Sequence, residues 1–224
     1  MKKIAIIPAR SGSKRLKDKN IKMFNGKPLI AHSIGAAIEA NIFDVVHLST
    51  DSEEYAEIGR KFYADVPFLR GNDTSSDTAS SWDMVKEVIE NYKKKEIVFD
   101  LFMLLQPTSP LRSSVDILNA YDLMIQKKAN AIVSVCEIEY SPLLCNTLPQ
   151  DLSLCNFLKI SEQKTEKYYR LNGAIYLSKV AYFMNTNNIY SYGCYAYIMK
   201  RENSIDIDTE LDFDIAEYLT KQTK

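Results

Sequence analysis

The feature that most constrains the fold is a recurring alternation along the chain. Short, almost continuous apolar runs are separated by longer segments with helical spacing. Ile4 to Ile7, Val45 to Leu48, Leu101 to Leu105 and Ala131 to Val135 have the character of strands buried on both faces. Between them, Leu29, Ile30, Ile34, Ala37 and Ile38 recur at helical intervals, as do Trp82, Val85, Val88, Ile89 and Tyr92. Ser52 to Phe62 also reads as a helix, and Val66 to Leu69 as a short strand. A further helix capped by Ser113 or Ser114 is expected to turn Val115, Leu118 and Leu123 inward. Strands alternating with helices predict an α/β fold. Its sheet would be mostly parallel, covered by helices on both faces and joined by right-handed crossovers.

The 224 residues suit one domain spanning 1–224, large enough to bury a core without disulfides or metal clips. The rhythm is lost from Glu137 to Tyr168, a polar, irregular stretch with scattered leucines. It is too long for a simple connection and reads as an excursion (137–168) that dimerises. Regular structure resumes at Gly173 to Leu177, and a last helix runs to about Leu219. The 28 basic and 29 acidic residues leave a net charge of −1, which argues against a nucleic-acid binder. No segment approaches the ~18 uninterrupted apolar residues of a membrane span. The first apolar run is far too short for a signal peptide. Cys136, Cys145, Cys155 and Cys194 stand apart, with no CxxC, and read as reduced thiols in a cytoplasmic chain. His32 and His47 lie within helix and strand patterns and read as packing residues.

Four stretches are not explained by packing alone. The first is the loop after the first strand, Ala9-Arg10-Ser11-Gly12-Ser13-Lys14-Arg15-Leu16-Lys17-Asp18-Lys19-Asn20. Ligands bind beyond the carboxyl ends of strands in such sheets. Small residues let backbone N–H groups approach, and the cations supply charge, which together suit a triphosphate. The loop is neither a Walker A motif nor GxGxxG, and a solvated basic turn is the competing reading. The second stretch is Asp206-Ile207-Asp208. Strand-like alternation would put both carboxylates on one face, where oxygen ligands suit Mg²⁺. Helix capping by Asp208 or Thr209, with Asp212 in a structural role, competes or coexists. The third is Gln106-Pro107-Thr108-Ser109-Pro110-Leu111-Arg112, whose prolines make a rigid turn. There Gln106 can hydrogen-bond a sugar or base, and Arg112 is a candidate partner for a carboxylate; an ordinary surface arginine is the alternative. The fourth is Arg170 to Tyr176. Asn172 offers donor and acceptor together, which suits a polyhydroxylated ligand, and Gly173 permits close packing or a positive φ.

In this order, these stretches resemble the CMP-sialic acid synthetases (acylneuraminate cytidylyltransferases). The matching segments are Ile7 to Lys14 with Lys19-Asn20, Ser49-Thr50-Asp51, Asp77 to Ser81, Leu105 to Arg112, Asn172 to Tyr176, and Ser204 to Asp212. The resemblance spans nearly the whole chain. It implies a Rossmann-like nucleotidyltransferase fold and a homodimer. It also implies CTP and a nonulosonic acid as substrates, with Mg²⁺ as cofactor. CTP would lie over the first loop, near Ala9, Ser13, Lys14 and Asn20, with Arg10 and Lys19 as the phosphate-binding pair. Arg70, Asp77 and Ser81 would lie near the nucleotide. Gln106 would contact the sugar, with Arg170 and Asn172 on the same side, and Asp206 and Asp208 would hold the metal. Arg10, Lys19 and Asp208 are the residues expected to carry the chemistry.

The nucleotide half of the pattern matches more fully than the sugar half. Arg15 stands where many sialic acid enzymes have glycine and where pseudaminic acid enzymes often have arginine. Glu162 to Lys167 replaces an Arg-Gln pair and a proline, and Leu144 stands near the place of a lysine. N-acetylneuraminate is the expected acceptor, with legionaminic or pseudaminic acid as same-class alternatives and 3-deoxy-octulosonic acid behind them. The different-class alternatives are a silent nucleotide-binding protein and a plain nucleoside-triphosphate hydrolase.

Overall fold

The computed structural model describes residues 1–12, 16–75, 79–154 and 166–222. The first apolar run forms β1 (Lys3–Pro8), followed by the hairpin β2 (Met23–Phe24) and β3 (Lys27–Pro28). Next come α1 (Leu29–Ala40), β4 (Val45–Ser49), α2 (Glu53–Lys61), the single turn α3 (Asn72–Ser75), α4 (Ser81–Lys94), β5 (Leu101–Leu104), α5 (Ser114–Lys127) and β6 (Ala131–Glu137). After the irregular segment come β7 (Tyr169–Lys179), α6 (Val180–Thr186), β8 (Cys194–Ile198) and α7 (Glu210–Gln222).

Six strands form one sheet in the order β4-β1-β5-β7-β6-β8. β1 is parallel to β4 and β5, and β6 is parallel to β8; β7 runs antiparallel to both of its neighbours. The sheet is therefore mixed, with a single reversed strand.

Side chains of β1 alternate between the two faces, as strand geometry requires. Ala5 and Ile7 pack with Ile30, Ile34, Tyr55, Met103 and Ile117 on one side. Ile4 and Ile6 pack with Met84, Val85, Val88, Phe102 and Phe183 on the other. Each fully buried Ile stabilises the fold by roughly 1.5–3 kcal/mol, so these two layers account for the sheet's central position. A third cluster, Phe24, Leu29, Ile207, Phe213 and Ala216, seats the hairpin and α7 against the end of the sheet.

Three local expectations are corrected. Val66 to Leu69 is not a strand: pairing with β4 stops at a single bridge between His47 and Asp65, and Pro67 removes the next ladder donor. In α5 the inward face is Ile117, Ala120 and Met124, while Val115 and Leu118 are exposed. The capping box of Ser113 and Asp116 fixes the start of that helix and hence its rotation. The edge strand β8 carries no clear apolar pattern and was not foreseen.

One irregularity matters for function. Between β6 and β7 the pairing moves two residues along β6, Val133 to Val135, but five along β7, Tyr176 to Leu171. The extra residues of β7 form a bulge containing Gly173, at φ +77°. Bulges re-aim side chains near sites, and this one sets Gly173 against Gln106, just past β5.

Candidate active site

The carboxyl ends of β1 and β5 release two of the four unusual stretches at one end of the sheet, where β4 also ends. Because β7 runs in reverse, its first half arrives at the same end.

The loop after β1 is tied down on both flanks of residues 13–15. Ala9 is buried, and its N–H donates to Ser49 O (2.8 Å). Asp51 accepts from the N–H (2.8 Å) and the hydroxyl (3.1 Å) of Ser11. Beyond residue 15, the Tyr55 hydroxyl donates to Asp18 (3.2 Å), and Asn20 Nδ2 reaches back to Arg10 O (3.1 Å). Arg70 is held beside Arg10: its Nε donates to Ser49 Oγ (3.1 Å) and Nη2 to Ser49 O (2.9 Å). Burial pushes the Arg70 guanidinium down to about 10, opposed by Asp51 and Glu87 and reinforced by Arg10. Ser81 opens α4, whose N-cap is Ser80, at the same end. Ser13, Lys14, Asp77 and Cys155 lie outside the described residues.

The acidic segment meets this loop directly. Lys19 is buried, and its Nζ donates to Ile207 O (2.5 Å) and to Asp208 Oδ1 (3.2 Å). Lys22 pairs with Glu210 and lies over the Phe213 ring. Ile207 is fully buried in the third cluster, which leaves Asp206 and Asp208 half-exposed on the other side of the chain. Capping of α7 falls to other groups. Asp212 Oδ2 accepts from the Thr209 N–H (2.8 Å), the Thr209 hydroxyl (2.8 Å) and the Asp208 N–H (3.1 Å). The Asp208 carboxylate is not the cap and meets Lys19 instead. Burial raises the Asp206 carboxyl above its ordinary range and the Asp208 charge adds to this; a Thr108 hydrogen bond, Lys19 and Arg170 oppose it.

Gly173 brings the third and fourth stretches together. A Cβ at this position would lie 3.1 Å from Gln106 Oε1 and 3.9 Å from Asp206 Oδ2. Glycine is thus required twice over, by its positive φ and by this close approach. Arg170 is exposed, and Nη2 donates to Ser204 O (3.0 Å). A cavity of about 740 Å³ opens beside it, lined by Glu137, Tyr140, Arg170, Arg201 and Ile205.

Two side chains differ from expectation. Asn172 is 1% exposed. Its Oδ1 accepts from Ser134 Oγ (2.6 Å) and from the Ala174 N–H (3.2 Å), and its Nδ2 donates to Ser204 Oγ (2.9 Å). The amide braces the bulge against the segment leading to Asp206 and presents no free edge to a sugar. Arg112 is neither exposed nor paired with a carboxylate; it is buried against neutral oxygens. His47 is buried against Tyr92 and Phe68, and burial holds its imidazole down to about 3, so it stays neutral. Asp51 and Thr108 were singled out by no sequence argument of their own, whereas Gly173 has both the positive φ and the close approach expected of it. A carboxylate just past a strand end is the signal that points to Asp51.

Among the described residues no group of three His, Cys, Asp or Glu side chains is arranged to hold a metal. Two carboxylates fit a cation that takes one or two protein ligands and completes its shell with water and phosphate, the habit of Mg²⁺.

Comparison with known proteins agrees with this geometry. A family model described as cytidylyltransferase matches residues 4–223. The chain is 37% identical over 218 residues to the N-acylneuraminate cytidylyltransferase of Escherichia coli O18:K1:H7, covering 95% of this chain and 51% of that protein. It is 34% identical over 232 residues to the CMP-N,N'-diacetyllegionaminic acid synthase of Legionella pneumophila, covering 98% and 96%. The chain thus spans about half the length of the first relative and nearly all of the second. The solved structure of a CMP:2-keto-3-deoxy-manno-octonic acid synthetase complexed with CTP shares the fold, with a TM-score of 0.76 at 17% identity over 100% of both chains. With the same end of the same sheet carrying the cationic loop and the acidic pair, the chain belongs to the cytidylyltransferase family.

Proposed function

We propose that this protein transfers CMP from CTP to the anomeric hydroxyl of a nonulosonic acid, N-acetylneuraminate first among the candidates, releasing pyrophosphate. The observation that carries the reading is the Lys19–Asp208 contact, with Gly173 set against both Gln106 and Asp206. It joins a cationic loop, a carboxylate pair and a neutral hydrogen-bonding side chain at one crevice. Those are the parts that attack of a sugar hydroxyl on an α-phosphate requires.

In this reading Arg10 and Lys19, with Ser13 and Lys14, receive the triphosphate. They stabilise the charge that grows on the phosphoryl and leaving-group oxygens. Ala9, Asn20, Arg70, Asp77 and Ser81 surround the nucleotide. Gln106 and Arg170 meet the acceptor, and the fixed turn and bulge supply the orientation on which such transfers depend. Asp206 and Asp208 would hold Mg²⁺, which when bound neutralises phosphate charge and aids departure of pyrophosphate.

The segment before β7 is assigned to a homodimer contact. Tyr140, Leu143, Leu144, Leu148, Leu152 and Leu154 are all exposed there, and exposed apolar side chains gathered along one segment suit a contact with a second copy. No helix among the described residues is long and apolar enough to cross a membrane, and the reading places the enzyme in the cytoplasm, beside its CTP. A second acceptor, a legionaminic acid, is favoured by the end-to-end match with the Legionella protein.

The test is pyrophosphate release from CTP and Mg²⁺ with N-acetylneuraminate, legionaminate, pseudaminate or no sugar. Release with one acid alone names the acceptor. Release without any acid would replace the transferase by a hydrolase. CTP binding with no release would replace it by a silent nucleotide-binding protein.

A further inference from the structure

Arg112 is 2% exposed, and the oxygens around its guanidinium are uncharged. Nη1 donates to the carbonyls of Gln106 (3.2 Å) and Ala174 (2.9 Å), and Nη2 donates to Ser33 Oγ (2.6 Å). Nε is buried without a partner. Burial pushes the group down to about 10, partly offset by the charge of Asp116. A buried cation bound only to neutral oxygens is a poor way to stabilise a fold, since an apolar side chain of similar volume does as well or better. Its presence calls for another reason. A planar fork of fixed donors can hold several chain segments in one geometry, which a lysine cannot do.

The three segments it holds are α1 at Ser33, the turn after β5 at Gln106, and the β7 bulge at Ala174. Each of the last two leads to the acceptor side of the crevice. The turn carries the Gln106 side chain. Two residues on, Thr108 O accepts from the Ile207 N–H (2.8 Å), and the Thr108 side chain bonds Asp206. The bulge carries Gly173, which abuts Gln106 and Asp206. The anchors of the nucleotide loop are Asp51, Tyr55 and Ser49, and none of the three bonds Arg112.

We propose that Arg112 is a positioning residue for the acceptor half of the site: it fixes the turn that presents Gln106 and, through Thr108, the Asp206 carboxylate, and takes no part in nucleotide binding. The assignment of an acceptor half rests on the cytidylyltransferase reading above. Arg112 touches no reacting atom and acts only through the turn and the bulge.

The test uses Arg112→Lys, Arg112→Met and the milder Ser33→Ala in the full chain. The expected result is a CTP dissociation constant, measured without Mg²⁺, unchanged from wild type, with kcat/KM for the sugar acid lower by about 10–100-fold, the scale of a small misplacement. Arg112→Lys, keeping charge but not the fork, should recover part of the loss, and Ser33→Ala should show the same split at smaller size. Amide hydrogen exchange gives a readout that needs no turnover. The Ser109 and Ile207 amides should exchange faster in the variants, while those of β1 and β5 keep their protection.

Folded variants with unchanged acceptor kinetics would overturn the proposal. So would loss of CTP affinity in step with acceptor kinetics and with protection of β5, since that describes a general structural role. If both Arg112 variants fail to fold, Ser33→Ala decides by the same criteria. If wild type turns over no sugar acid, the functional reading fails, and exchange at Ile207 still decides whether Arg112 holds the turn.

Discussion

Lys19 Nζ stands 3.2 Å from Asp208 Oδ1 and 2.5 Å from the carbonyl of Ile207, so the first loop and the last loop of the chain are joined by one ammonium group. This lysine supplies positive charge beside the carboxylates assigned to the metal. Its charge also holds down the Asp206 carboxyl, which burial raises. Lys19→Met should therefore do two things. It should lower kcat by about 100-fold or more, as loss of a charge-stabilising donor does. It should also move the acidic limb of the rate–pH profile to higher pH, because Asp206 without the nearby cation keeps its proton longer. Steady-state kinetics across pH would check both, and an unmoved acidic limb would detach Lys19 from the carboxylate pair.

Asp208, just before α7, and Asp212, in its first turn, hold different partners. Asp208 faces Lys19, whereas Asp212 accepts from Thr209 and from the Asp208 N–H at the start of α7. Asp208→Ala should abolish turnover while CTP binding stays measurable. Asp212→Ala should leave most of the turnover and cost about 1 kcal/mol of stability, the usual worth of a helix cap. Burial works to raise the Asp212 carboxyl, yet its hydrogen bonds from Thr209 and Asp208 bring it below the ordinary range. A depressed carboxyl stabilises the fold above its unfolded pKa, and that contribution is lost as pH falls through the folded value. The difference in Tm between wild type and Asp212→Ala should accordingly narrow in acid, as a thermal melt series would show.

Much of this was legible because the determinants are local. The β1 run, the cations of Arg10 to Lys19 and the alternation of Asp206, Ile207 and Asp208 each lie within a few consecutive residues. The burial of Ile207 between two half-exposed carboxylates repeats that alternation in space. What escaped was long-range. Arg112 reads as a surface residue because its partners at Ser33 and Ala174 lie far away in sequence. Asn172 reads as a ligand group because Ser134 and Ser204, which occupy its amide, are equally remote. β8 escaped for a different reason. It is an edge strand with Tyr195 and Ile198 exposed, so it lacks the continuous apolar run that marks the central strands.

Asp206 carries a conflict between stability and function. Its carboxyl is raised, first by burial and then by the Asp208 charge. A raised carboxyl favours the fold below its unfolded pKa, and the benefit fades as pH rises through the folded value. At neutral pH without metal, the ionised group is a net cost. Asp206→Asn should melt higher than wild type at pH 8 in the presence of a chelator, with the gap closing toward pH 4. The same variant should lose most of its turnover, and adding Mg²⁺ with CTP should raise its Tm less than that of wild type. Equal stabilisation by Mg²⁺ and CTP in the two proteins would remove Asp206 from the metal site.

Gly173 is where backbone conformation and acceptor geometry meet. Its φ of +77° disfavours any side chain, and an added methyl group costs about 1 kcal/mol in such a conformation. The methyl would also lie 3.1 Å from Gln106 Oε1, so Gln106 must give way by a few tenths of an ångström. Asp206 Oδ2, at 3.9 Å, is in ordinary contact and need not move. Gly173→Ala should therefore lower Tm modestly and raise KM for the sugar acid by about 10-fold, the effect of a slightly displaced contact, while CTP affinity and the Mg²⁺ requirement stay as in wild type. Gln106→Ala in the same background separates the two causes. If displacement of Gln106 is the damage, the double variant is no worse toward the acid than Gln106→Ala alone. If the two losses multiply instead, Gly173 acts on the acceptor by a route other than Gln106.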